Sequence, residues 1–303
     1  MGPGERDHPV AAPGAARLRD RLLSLPLHLL PHHPVSRVVH RLARSRRPWL
    51  RQRLIGAFSR RFRVDRAEAE QQDPAGYPDF NSFFTRALRP GARPLPDDPA
   101  ALACPADGAV SAMGRLDGGR ILQAKGRDYT VTELLGGDTD RAAALNDGAF
   151  ATIYLSPRDY HRVHMPWSGT LRETVHIPGR LFSVAPPTVR AIPRLFARNE
   201  RVACLFDTDC GPMAVVLVGA INVASIATVW AGEITPPRGR RIVSRDHSAD
   251  GIHLERGAEM GRFNMGSTVI VLLPRQTVAW DPGLDTGQPV RMGQPLGSVH
   301  RQA

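Results

Sequence analysis

Apolar residues recur at helical spacing near the N-terminus and in short unbroken runs further along the chain. Val35, Val38, Val39 and Leu42 fall at i, i+3, i+4 and i+7, and Leu50, Leu54, Phe58 and Phe62 follow at steps of four. Two or three short helices are predicted over residues 17–64. Arg51, Arg53, Arg60, Arg61 and Arg63 fill much of the remaining circumference, so the second stripe belongs to an amphipathic helix with an arginine-rich polar face. Such a helix can pack its stripe on a domain, or lie in a membrane interface. Residues 1–16 form a Gly-, Pro- and Ala-rich leader. Residues 65–100 read as a connector, in which Asp79–Phe84 is expected to dock aromatic rings on the core. Pro90, Pro94, Pro96 and Pro99 then hold the chain extended.

From Ala101 onward the period changes. Ala149–Leu155, Met213–Trp230 and Ser267–Leu273 are runs rich in β-branched residues. They are separated by turn signals such as Trp167-Ser168-Gly169, Ile177-Pro178-Gly179 and Pro236-Pro237-Arg238-Gly239. Thr130–Leu135 and Val189–Arg198 have the character of short helices. Gly283–Gly297 has the turn-strand-turn rhythm of sandwich-barrel modules. The expected fold class is α+β: a mainly antiparallel, sandwich-barrel-like β catalytic core over residues 67–303, preceded by a basic, amphipathic helical segment over residues 1–66. The segment Leu22–Leu30 is apolar but short, and Pro26 and His28 interrupt it, so no run is long enough to span a bilayer. Met1–Val10 is polar and Pro-rich, unlike a signal peptide.

Charge sharpens this division. The net charge is +11, and residues 1–66 hold fifteen Arg against four acidic residues, which is the whole excess. The partner implied is polyanionic, either nucleic acid or an anionic membrane. The basic residues alternate with an aliphatic stripe and not with base-stacking aromatics, which favours an anionic phospholipid membrane and argues against nucleic acid. Three cysteines without regular spacing (Cys104, Cys204, Cys210) argue against a disulfide framework and against a zinc site. Lys125 is the sole lysine, so few amines are available for Schiff-base catalysis.

Three segments could carry chemistry. Pro105-Ala106-Asp107-Gly108 offers either a capped turn or a carboxylate that orients a histidine. Leu155–Pro166 holds His161 and His164 at i, i+3, between a strand and a proline, on a backbone expected to be irregular. No Cys or Glu stands at ligand spacing, so a metal site is not expected. Gly261–Val271 places a Gly266–Ser267 bond at the entrance to a strand. That is either an ordinary strand start or a site of autocatalytic cleavage, in which a serine attacks the preceding carbonyl and glycine leaves the acyl side unobstructed. The segment does not match the Gly-x-Ser-x-Gly nucleophile elbow.

Taken together, these segments resemble the bacterial phosphatidylserine decarboxylases. The resemblance runs from about Asp65 to Leu273. It also takes in Gly179–Val184, Leu195–Arg201, Val218-Gly219-Ala220 and Thr228–Gly232. One departure is Met265-Gly266-Ser267-Thr268, where the family usually has Leu-Gly-Ser-Thr; the change conserves volume and keeps the bond. The resemblance implies a proenzyme in which Asp107, His164 and Ser267 form a self-cleavage triad. A β chain of residues 1–266 and an α chain of residues 267–303 would remain together as a heterodimer. Ser267 would become a covalent pyruvoyl group and the Schiff-base site, which would let a chain with one lysine decarboxylate an amino acid headgroup. His161 would be the acid–base group of decarboxylation, and Phe182 would stand at the mouth of the site. The implied substrate is phosphatidylserine, the product phosphatidylethanolamine. The implied location is peripheral, on the cytoplasmic side of the cell membrane. Two other readings stay open on sequence: a pyruvoyl enzyme of a soluble amine, and an uncleaved membrane-binding scaffold.

Overall fold

The computed structural model describes residues 18–20, 32–221, 225–235, 241–264 and 267–300. Met265 and Gly266, the acyl side of the expected cleavage bond, lie outside the described residues, as do the leader, Leu22–Leu30 and the turn at 236–239.

Helix α1 spans His32–Ala43, α2 spans Pro48–Phe62 and α3 spans Phe80–Phe84. Pro48 opens α2, where its missing N–H costs nothing. The strands that build the site are β1 (Gly108–Arg115), β2 (Ala149–Leu155), β3 (Arg162–His164), β4 (Gly169–Ile177), β5 (Arg201–Thr208), β6 (Gly211–Gly219), β7 (Ile226–Thr228), β8 (Glu259–Phe263) and β9 (Ser267–Leu273). A nine-stranded sheet runs Val243–Asp246, β4, β5, β6, β9, β2, β1, Pro289–Val290, with His253–Leu254 pairing on β4. A smaller sheet runs Gly232–Glu233, β7, β8, β3. All these strand pairings are antiparallel, and no sheet closes into a barrel among the described residues, so the architecture is α+β with a mainly antiparallel core.

The unbroken apolar runs are explained by position. Strand β9 is central, hydrogen-bonded to β2 on one side and β6 on the other, and each of its seven residues is buried. A strand covered on both faces needs no polar alternation. Antiparallel order also sets a common rim. Ser267 opens β9 opposite Leu155 at the end of β2 and Gly219 at the end of β6, and Ala109 in β1 faces Tyr154. Asp107, just ahead of β1, therefore stands two inter-strand steps from Ser267, about 10 Å at ordinary strand spacing. Gly108 is required here, because a Cβ at that position would lie 2.2 Å from the Tyr154 carbonyl oxygen.

The connector aromatics do not join the main core. Phe80, Phe83 and Phe84 form a separate cluster with Tyr77, Ala43 and Ile55, against which Leu54 and Phe58 of α2 pack. The stripe of α2 is thus half-spent on the protein. The side chain it buries fully is Ile55, which lies beside the predicted stripe and not in it. Val38 and Leu42 of α1 and Trp49 of α2 remain exposed, at 56%, 47% and 56%.

Candidate active site

Two segments lead to Ser267. Strand β8 ends at Phe263, whose N–H donates to the His161 carbonyl at 3.0 Å. Asn264 is then held by several neighbours: its backbone N–H donates to the Ser225 carbonyl (2.9 Å), its amide donates to Ser225 Oγ, and its Oδ1 accepts from Asn81 Nδ2 of α3 at 3.0 Å. Three residues later Ser267 begins β9. Ser267 is fully buried and, among the described residues, its Oγ has no hydrogen-bond partner. An unpaired buried hydroxyl carries a desolvation penalty of about 1–3 kcal/mol, and such groups concentrate where chemistry is done.

His161 lies beside this approach. The backbone between Leu155 and Pro166 is irregular as expected, broken by a three-residue strand at 162–164, so His161 stands ahead of the strand and His164 ends it. The two histidines accordingly have different surroundings. The His161 ring packs on Phe84, centroids 4.1 Å apart, and its Nδ1–H donates to the Asp159 carbonyl at 2.8 Å. That bond fixes the tautomer and leaves Nε2 as a bare acceptor, buried and without a partner. Burial, with the Arg86 charge adding to it, pushes the imidazole pKa down to about 3, against the favourable bond to Asp159. His161 is a neutral base across the physiological range.

His164 has both nitrogens engaged. Nδ1–H donates to the Gly257 carbonyl (2.8 Å), and Nε2 accepts from the Tyr160 hydroxyl (3.0 Å). Burial lowers its pKa too. Asp107 is bonded elsewhere: it accepts from Arg93 Nε at 2.9 Å, from Arg93 Nη2, and from the Met292 N–H at 2.8 Å. Arg93 also donates to Glu68, which in turn accepts from Arg291. So the structure brings His161 to the segment entering Ser267, and places Asp107 and His164 nearby without a bond between them. The tautomer of His164 is set by Gly257. Asp107 acts on it through space, as a negative charge that favours the imidazolium. Phe182 is fully buried, with the Arg198 guanidinium 4.9 Å from its ring centroid and its N–H bonded to Asn199, so it packs under the rim and does not line an opening.

Sequence reasoning missed Arg93 and Gly257. No local pattern marks them, since each acquires its role from a partner far along the chain. Asn81, Tyr160 and Asn264 lay inside the segments singled out, but as neighbours of the candidate residues.

A buried serine at a strand entrance, with His161 and His164 on the neighbouring segment, offers the groups needed for attack of a serine oxygen on the preceding carbonyl. Comparison with known proteins agrees with that chemistry. A family model described as Phosphatidylserine decarboxylase matches residues 80–298, and another described as PSD matches residues 22–63. The chain is similar to curated proteins named phosphatidylserine decarboxylase proenzyme: 64% identical to that of Alkalilimnicola ehrlichii over 84% of this chain and 88% of that protein, 59% identical to that of Bordetella pertussis over 92% and 94%, and 57% identical to that of Pseudomonas aeruginosa over 92% and 97%. The alignments cover most of both partners, the family model spans the rim that holds Asp107, His161, His164 and Ser267, and so the chain belongs to the phosphatidylserine decarboxylase family.

Proposed function

We propose that the chain is a proenzyme that cleaves itself at Gly266–Ser267 and then, through a pyruvoyl group made from Ser267, decarboxylates phosphatidylserine to phosphatidylethanolamine and carbon dioxide. The observation that carries this reading is the unpaired, fully buried Ser267 hydroxyl at the head of a central strand. In self-cleavage, the Ser267 oxygen bonds to the Gly266 carbonyl carbon as His164 takes its proton, and the peptide C–N bond breaks to leave an ester. The ester then eliminates the Gly266 carboxylate, and the former serine exchanges ammonia for water. His164 reaches its role by exchanging the Tyr160 hydroxyl at Nε2 for that of Ser267. Asp107 stabilises the imidazolium from a distance, fixed by Arg93 and Met292.

The residues around position 267 fit such a group: Ser267 and His161 are both fully buried, and Nε2 of His161 is a free acceptor among the described residues. A pyruvoyl group supplies an electrophilic ketone and an electron sink for an amine substrate, which accounts for decarboxylation by a chain with one lysine. His161, held by Asp159 and Phe84, moves the proton at the substrate carbon. The β chain (1–266) and α chain (267–303) stay together as a heterodimer. The basic segment 1–66 holds the enzyme peripherally on anionic lipid at the cytoplasmic side of the cell membrane. The exposed Val38, Leu42 and Trp49, set among arginines, support that docking.

A denaturing intact-mass spectrum tests the core of the reading. Two chains split at 266/267 are expected, the smaller lighter by one ammonia than a hydrolysis product, with Ser267→Ala remaining a single chain. One uncleaved chain in the unmutated protein would overturn it.

A further inference from the structure

Arg86 follows α3 and is 4% exposed. Its guanidinium lies 5.6 Å from the Phe83 ring centroid, and Nη2 donates to the Arg158 carbonyl at 3.2 Å. Among the described residues, Nε and Nη1 are buried with no acceptor. No described carboxylate is hydrogen-bonded to it: Asp107 is taken by Arg93 and the Met292 N–H, and Asp159 accepts from the Ser156 N–H at 2.7 Å. Burial lowers its pKa, with Tyr77, Asp107 and Asp159 opposing only through space, and its charge is felt at His161. A buried cation with unspent donors is costly to retain without an anion to offset its charge. Nε–H and Nη1 lie on different edges of the guanidinium, so each is left to donate to an oxygen of its own, and the charge itself calls for an anion.

We infer that Arg86 is a specificity residue that binds the phosphodiester of the lipid headgroup beside His161. The inference rests on the decarboxylase reading above and names the group of its substrate that Arg86 takes. The headgroup offers two anions, a carboxylate and a phosphodiester. The carboxylate must lose its charge as carbon dioxide leaves, so a buried cation paired to it would stabilise the reactant more than the transition state and slow the reaction. The phosphodiester keeps its charge throughout, so binding it anchors the headgroup at no cost to the chemical step. That is uniform binding, whose loss raises KM and spares kcat.

The test uses full-length, self-cleaved protein in detergent micelles containing phosphatidylserine, with cleavage verified by mass for each variant. Arg86→Gln is expected to raise KM at least tenfold with kcat within threefold. Arg86→Lys, which keeps the charge and loses the Nε donor, is expected to fall between. Glycerophosphoethanolamine should inhibit the unmutated enzyme far better than ethanolamine, and Arg86→Gln should abolish that advantage. A kcat loss with KM unchanged, an inhibitor preference that survives Arg86→Gln, or inorganic phosphate inhibiting as well as glycerophosphoethanolamine would each overturn the assignment. So would failure of both variants to self-cleave, which would make Arg86 a structural residue of the precursor. Failure of the underlying reading looks different: the unmutated protein would then release no carbon dioxide from phosphatidylserine.

Discussion

At the residue scale, the two histidines are separated by what holds their nitrogens. His161 has one free nitrogen and His164 has none. In assays that score self-cleavage by gel and decarboxylation by released carbon dioxide, His164→Gln is expected to block the first. His161→Gln is expected to self-cleave and fail in the second. Tyr160→Phe removes the hydroxyl that occupies His164 Nε2, and it is expected to cleave at least as fast as the unmutated chain. A tenfold slower variant would mean that Tyr160 orients His164 and does not merely cover it. His161 also makes a stability prediction. Its folded pKa of about 3 lies below the ordinary 6.5, so between those values the unfolded chain binds a proton that the folded chain refuses. Stability is therefore lost as pH falls below 6.5, by at most about 1.4 kcal/mol per pH unit from this group. In an uncleavable Ser267→Ala background, thermal melting between pH 6.5 and 4 should be less pH-sensitive in His161→Gln. Equal slopes would show that His161 takes up its proton in the folded state.

At the element scale, α2 and α3 work as a pair. Helix α3 is five residues long, capped by Asp79, whose carboxylate accepts from the Ser82 N–H at 2.8 Å. Too short to persist alone, it is held by the aromatic cluster with α2. Helix α3 supplies Phe84 to His161 and Asn81 to Asn264, while Phe58 of α2 packs on both Phe80 and Phe84, so Phe84 links α2 to the site. Arg44, just past α1, pairs with Glu233, whose carboxylate also accepts from Ser225 Oγ at 3.1 Å, next to Asn264. The basic segment therefore buttresses the site as well as carrying the surface proposed to meet lipid. Ile55→Ala should destabilise by about 2–5 kcal/mol, as large-to-small core changes do, and lower the melting temperature in calorimetry. Joint replacement of the exposed Val38, Leu42 and Trp49 by Ser should leave melting and self-cleavage nearly unchanged and reduce co-sedimentation with anionic vesicles several-fold. Unaltered sedimentation would remove these side chains from the membrane contact.

At the scale of the whole molecule, the proposed cut falls at the entrance of a strand, outside its ladder. Strand β9 is paired along its length to β2 and β6, and Val269–Leu273 are all completely buried. Beyond it, Met292 bonds to Asp107 and Arg291 to Glu68, which ties the C-terminal segment to the rim again. The two chains are expected to co-elute in native size-exclusion chromatography and to part only in denaturant. Dissociation on cleavage would mean that the ladder around β9 opens when the 266–267 bond is lost.

The sequence by itself determined the elements whose signal is local. The runs 149–155 and 267–273 emerge with the bounds their apolar patterns predict, and the helices at 131–134 and 195–198 fall within the short segments expected. It also determined the family, and through it the candidate residues, because the order of several distinctive segments is itself one-dimensional information. Tertiary structure decided what each of those residues touches. An aspartate before a turn looks the same whether its partner is a histidine or Arg93, and two histidines three apart look alike until the fold gives one the Asp159 carbonyl and the other the Gly257 carbonyl. The amphipathic stripe of α2 could not declare its partner either: the cluster that buries Ile55 comes from residues 77–84, and hydrophobic attraction has no direction to read from one chain segment alone.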